Sequence, residues 1–155
     1  MPTARLANIE MPCELLNELQ LQRYLRALGV SRRDPALAAL DELVAAHLAR
    51  IPFENVSKLY YRKRYELTSV PEIERFLDGV EQYHFGGTCY TNNFHFFRLL
   101  ASLGYDVRLC AADMKMPDIH AASIKYSRPS SKSMISADMQ RPFAVLFRAI
   151  SKRST

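Results

Sequence analysis

The feature that most constrains this chain is a change of period at Gly104. Before it, apolar side chains recur at helical spacing, and after it they alternate. "YDVRLCAADM" carries strand formers at Tyr105, Val107 and Leu109, and "IHAASIKY" is a second short strand segment. "MISADM" and "FAVLFRAI" read as further strands, and "SRPSSKS" as a loop. Helices first and strands second give an α+β layout, in which the two kinds of element are segregated.

The helical part divides at its punctuation. From Cys13 to Leu28, apolar residues fall at Leu15, Leu16, Leu19, Tyr24, Leu25 and Leu28, and Gly29 supplies a stop. In "SRRDPALAALDELVAAHLARIPF", Asp34 suits the N-cap and Pro35 the first helical position. Leu37, Leu40, Val44 and Leu48 line one face, and Pro52 ends the helix near Arg50. His47 lies near that face and reads as a packed, hydrogen-bonded histidine. "SVPEIERFLDG" is a shorter helix that Gly79 ends. A last helix has Thr88 as N-cap, Cys89 as its first residue, and Phe94, Phe97, Leu100 and Leu103 along one side, with Gly104 as its stop.

An apolar fraction of 48% is enough for a core, and no apolar run is long enough to span a membrane. Three widely spaced cysteines, Cys13, Cys89 and Cys110, form no C-x-x-C pair, so the reading is a reducing, cytoplasmic compartment without a disulfide framework. The N-terminus carries no signal-peptide pattern. The net charge is +5, and the stretch from Arg128 onward holds Arg128, Lys132, Arg141, Arg148, Lys152 and Arg153 against Asp138 alone. That suits a solvated tail or attraction to a phosphate-bearing ligand. No nucleic-acid-binding motif is present, and neither nucleic acid nor membrane is an expected partner.

Chemistry concentrates at "YHFGGTCYTNN". A cysteine opening a helix sits beside unpaired N–H groups and the positive end of the helix dipole, both of which favour the nucleophilic thiolate. Gly86 and Gly87 permit a sharp turn and close approach by a substrate. The residues alone leave Cys89 either a nucleophile or a small buried side chain. A nucleophile needs a base and a group that orients it. His84 lies just before the glycines without a clear orienting partner. His95 lies about 600° around the helix from Cys89, on another face. His120 lies on the second strand, and Asp138 on the next could orient it. "RIPFENVSKLYYRKRYEL" reads as a structured connector, with Pro52 and Asn55 as punctuation after a helix.

Together these residues resemble the arylamine N-acetyltransferase family. "IPFEN" at Ile51–Asn55 matches a hallmark segment. "GGTCYTNN" resembles the family's Arg-Gly-Gly-x-Cys-aromatic-x-x-Asn at Gly86, Gly87, Cys89, Tyr90 and Asn93. A strand histidine, His120, follows, and "YLRALG" near Tyr24 resembles the early helix. The resemblance spans Tyr24 to about Asp138. It implies a cysteine-protease-like core: a helical bundle over 1–104 carrying the cysteine, then partial antiparallel β-barrel strands over 105–155, with the family's C-terminal lid absent. It also implies acetyl transfer from acetyl-coenzyme A through a cysteine thioester to an arylamine, arylhydrazine or N-hydroxyarylamine, with no metal. Cys89 is then the nucleophile, His120 the base and Asp138 its orienting partner. Phe53 lines the acceptor pocket, and Gly86, Gly87 and Thr88 lie beside the acyl oxygen and coenzyme.

Several positions depart from the pattern. Phe85 stands where the family has an arginine that pairs with the glutamate at Glu54, so either His84, Arg50 or Arg62 compensates or Glu54 is more exposed. Thr91 stands where an acid is common. Asp118, and more weakly Asp113, rival Asp138 as the orienting acid. Family members continue well beyond the length of this chain, so an incomplete barrel would leave strand edges open to self-association. The alternatives to an active transferase are an inactive, shortened relative that binds or dimerises, and another cysteine acyl enzyme such as a hydrolase or transglutaminase-like protein.

Overall fold

The computed structural model describes residues 14–112 and 120–125, with side chains within 14–109. Helix α1, Glu18–Leu28, starts from a capping box. Asn17 Oδ1 accepts from the Gln20 N–H at 2.9 Å, and Gln20 Oε1 accepts from the Asn17 N–H at 2.9 Å. That start fixes the phase of the helix. Leu21, Tyr24, Leu25 and Leu28 turn inward, whereas Leu15 and Leu19, expected on the apolar face, are exposed. Gly29 closes the helix in the left-handed region at φ 67°.

Helix α2 spans Leu37–Arg50, two residues later than Asp34 and Pro35 imply. Ala36 is its extended N-cap, held by Tyr105: the Tyr105 hydroxyl donates to Ala36 O at 3.2 Å and lies 3.4 Å from Ala36 N. The inward face is Ala39, Leu43 and His47. Leu40, Val44 and Leu48 are only partly buried and Leu37 is exposed, so the expected face is rotated. The helix ends at Arg50, before Pro52, as expected.

Helix α3, Val56–Tyr65, occupies what reads in sequence as a connector. Its inward residues are Ser57 and Tyr61, while Val56 and Leu59 face out, so it lacks the apolar stripe that marks a packed helix. Helix α4, Ile73–Tyr83, runs through Gly79 rather than ending there. A Cβ at Gly79 would lie 2.1 Å from the Tyr61 hydroxyl, so the glycine provides room for α3 instead of a stop.

Helix α5, Cys89–Ser102, begins from Thr88 as expected. Its buried residues are Asn92, His95, Phe96, Arg98, Leu99 and Leu100, whereas Phe94 and Phe97 are only partly buried. Strand β1, Val107–Ala112, pairs antiparallel with β2, His120–Lys125, from Val107 against Lys125 to Ala112 against His120. Both strands pack on α5, and α1 packs on α2, α4 and α5. The core between the helices is Tyr24, Leu28, Ile73, Phe76, Leu77 and Leu99, extended by Ile51, Phe96, Leu103 and Tyr105. Each such side chain contributes about 1.5–3 kcal/mol by leaving water. Arg23 joins α1 to α4 through Asp78 at 2.5 Å and Glu81 at 2.7 Å, and both carboxylates raise its pKa. The order of helices then strands is the expected one. The strand segments "MISADM" and "FAVLFRAI" lie outside the described residues, and no barrel is seen among the described elements.

Candidate active site

"IPFEN" and "GGTC" are zipped together. Phe53 and Gly87 form a parallel β-bridge. The Gly87 N–H donates to Pro52 O at 3.2 Å, and the Glu54 N–H donates to Gly87 O at 3.0 Å. Asn92, one turn into α5, donates from Nδ2 to Pro52 O at 3.1 Å and to Gly87 O at 3.0 Å, so one buried amide ties both segments to the helix. Ser57 Oγ donates to Gly86 O at 3.3 Å. The approach is close enough that a Cβ on Gly86 would sit 1.9 Å from Pro52 O, and one on Gly87 would sit 2.7 Å from Thr91 Cβ.

Glu54 resolves the question raised by Phe85. One carboxylate oxygen accepts from the Gly86 N–H at 3.0 Å, and the other accepts from the Ser57 N–H at 2.9 Å in the first turn of α3. The carboxylate thus acts as a capping group beside a helix N-terminus, where negative charge is favoured. None of the three expected compensators appears with Glu54 in a described ion pair. Arg50 instead lies against Gly29, and His84 is exposed as the left-handed cap of α4 at φ 54°. Phe85 packs into a tyrosine cluster, with ring centroids 5.5 Å from Tyr60, 6.1 Å from Tyr61 and 5.2 Å from Tyr83.

This turn places Cys89 as the first residue of α5, partly exposed. Its carbonyl accepts from Asn93 Nδ2 at 2.9 Å. Phe53 is exposed beside the bridge. A groove of ≈ 300 Å³ opens next to the start of α5, and its walls include Lys58, Tyr61, Pro71, Thr88, Tyr90 and Thr91, but not Cys89.

Two histidines, His47 and His95, serve the core. His47 is buried with Nδ1 3.5 Å from the Tyr24 hydroxyl, and stacks on Phe96 with centroids 4.4 Å apart. His95 is fully buried, with Nε2 3.0 Å from Pro71 O, and stacks on Phe76 at 4.3 Å. Burial lowers the pKa of each to about 3, so both are neutral at neutral pH. His120 opens β2, opposite Ala112, on a strand packed against the helix that carries Cys89. Asp113, Asp118 and Asp138 lie outside the described residues. Among the described residues no cluster of three or more His, Cys, Asp or Glu could hold a metal ion, and no helix is long and apolar enough to cross a membrane.

Sequence reasoning missed the roles of Ser57 and Asn92. Neither belongs to the motif pattern, and their backbone partners are distant in sequence, at Gly86 and Pro52. The only available signal was polar residues on inward faces of helices.

A family profile described as N-acetyltransferase matches residues 36–128, a span that holds "IPFEN", the glycine–cysteine turn and His120. No curated protein matches the chain. The chain belongs to the arylamine N-acetyltransferase family.

Proposed function

We propose that this protein transfers an acetyl group from acetyl-coenzyme A to an arylamine, arylhydrazine or N-hydroxyarylamine through a thioester on Cys89. The supporting observation is the zipped turn that sets Cys89 at the N-terminus of α5, on the helix against which the strand of His120 packs. The connection from α5 to β1 runs only from Leu103 to Asp106, so β1 turns back along α5. Fourteen helical residues and six strand residues each cover roughly 20 Å. In this reading the far end of β1, Ala112, and its partner His120 lie toward the end of α5 that carries Cys89.

In this reading His120 accepts the Cys89 proton, giving a thiolate–imidazolium pair, with Asp138 orienting the ring. The thiolate attacks the acetyl carbonyl. The tetrahedral intermediate expels coenzyme A, which leaves as the thiol with the proton from His120. The amine then attacks the Cys89 thioester, His120 takes the amine proton, and the Cys89 thiolate departs as the acetylated product leaves. Phe53 packs against the acceptor ring. The N–H groups of Gly86 and Gly87 already bond to Glu54 and Pro52, so a backbone donor to the acyl oxygen would come from Thr88 or beyond. In this reading the helices from Glu18 to Ser102 form the unit that carries the cysteine, and β1 and β2 belong to the family's β-barrel.

Mass spectrometry tests this directly. Incubation with acetyl-coenzyme A adds one acetyl group at Cys89, and an arylhydrazine then removes it. No adduct on the wild-type chain, or an undiminished adduct in Cys89→Ser, would refute the proposal.

A further inference from the structure

The outward side of α3 has no role in the acetyl-transfer scheme. Ser57 and Tyr61 point into the protein, and at about 100° per residue the opposite side centres on Leu59, flanked by Val56 and Lys63 on one side and Arg62 on the other. Leu59 is 59% exposed and Val56 57%. The helix holds Lys58, Arg62, Lys63 and Arg64 and no acid, and none of these four cations is in a described ion pair. Of the flanking acids, Glu54 is bound to the Gly86 and Ser57 N–H groups. Helix α3 meets α4 through Tyr60 and Tyr61, and Leu59 lies on its exposed side.

An apolar centre ringed by long cations selects an anionic, apolar partner. The chain's own basic stretch from Arg128 onward repels it, and so does a second copy carrying the same net charge of +5. A bilayer surface is deformable enough to receive Val56 and Leu59 while Lys and Arg stems keep their charges at the headgroups. We propose that α3 docks this protein on an anionic bilayer surface, with Val56 and Leu59 entering the headgroup layer and Arg62 and Lys63 meeting lipid phosphates and carboxylates. The contact is peripheral and independent of acyl transfer.

Co-sedimentation of the full chain with lipid vesicles tests it. Binding is expected to vesicles of equimolar phosphatidylserine and phosphatidylcholine, to be absent from phosphatidylcholine alone, and to weaken as salt rises. Lys63→Ala should lower the partition coefficient about fivefold, and Leu59→Ala about tenfold. Both positions are exposed, so neither substitution disturbs the core, and Cys89→Ser should bind as the wild type does. No binding, equal binding to both vesicle types, or binding untouched by both α3 substitutions overturns the proposal. Capture by an acidic amphipathic peptide without vesicle binding also overturns it, in favour of a protein partner.

Discussion

The Glu54 carboxylate accepts the Gly86 N–H at 3.0 Å, and through that bond the first turn of α3 and the turn before Cys89 share one anion. Removing the carboxylate strips an acceptor from two backbone donors at once. Glu54→Ala should cost about 1–3 kcal/mol, and Glu54→Gln, which retains one amide oxygen, should lose less. Chemical denaturation measures both, and equal midpoints for wild type and the alanine variant would show that the cap contributes nothing.

Phe85→Arg installs the arginine of the family pattern, but it should not improve function. Glu54 is already engaged, and the new guanidinium would displace a ring from the Tyr60, Tyr61 and Tyr83 cluster. A loss of about 0.5–1.5 kcal/mol per lost ring pair is expected, with no gain in the rate of Cys89 acetylation. A faster, more stable variant would mean that the tyrosine cluster is incidental.

Gly86→Ala should be the most damaging single methyl in the chain, because the added carbon meets the Pro52 carbonyl at 1.9 Å and that backbone cannot yield without opening the bridge. The cost should exceed the usual overpacking loss of about 1–3 kcal/mol. Thermal melting together with Cys89 acetylation reads the effect, and a variant that melts and acetylates normally contradicts the zipped geometry.

Gly79→Ala should destabilise by overpacking against the Tyr61 hydroxyl, which lies 2.1 Å from the added carbon. In a Tyr61→Phe background that clash is relieved, although the bond from the hydroxyl to Arg75 O is lost in both Tyr61→Phe chains. A double-mutant cycle should therefore show a coupling of about 0.5–3 kcal/mol, and strict additivity would rule out the contact.

Acid stability should report the two buried histidines. Burial lowers His47 and His95 to about 3, below their ordinary value near 6.5. Both therefore bind protons more readily in the unfolded chain. The stability they confer is fully present above about pH 6.5 and is lost as pH falls toward about 3, with a slope near 1.4 kcal/mol per pH unit for each histidine. Substituting His95 by Gln should flatten the denaturation midpoint between pH 6 and pH 4. An unchanged slope would place the titration elsewhere.

The element boundaries were legible where local chemistry decides them. Thr88 before Cys89, Pro52 after Arg50 and Gly29 after Leu28 all act within a few residues, and the structure agrees with each. The failures come from contacts distant in sequence. Ala36 rather than Asp34 caps α2 because Tyr105 reaches it, and Gly79 stays helical because Tyr61 needs the space. Helix α3 was illegible because its apolar residues point outward. At the site, the two motifs and their order were readable. The partner of Glu54 was not, because a backbone N–H on another segment has no signature in side-chain pattern.

Each bond described here for the turn before Cys89 joins residues between Pro52 and Asn93. During synthesis from the N-terminus, these residues leave the ribosome before any residue of the β1–β2 hairpin. The cradle of the cysteine can therefore close on its own partners before the strand that bears His120 has emerged. Assembly would then proceed in one direction, with the Cys89 thiol already in place when His120 arrives.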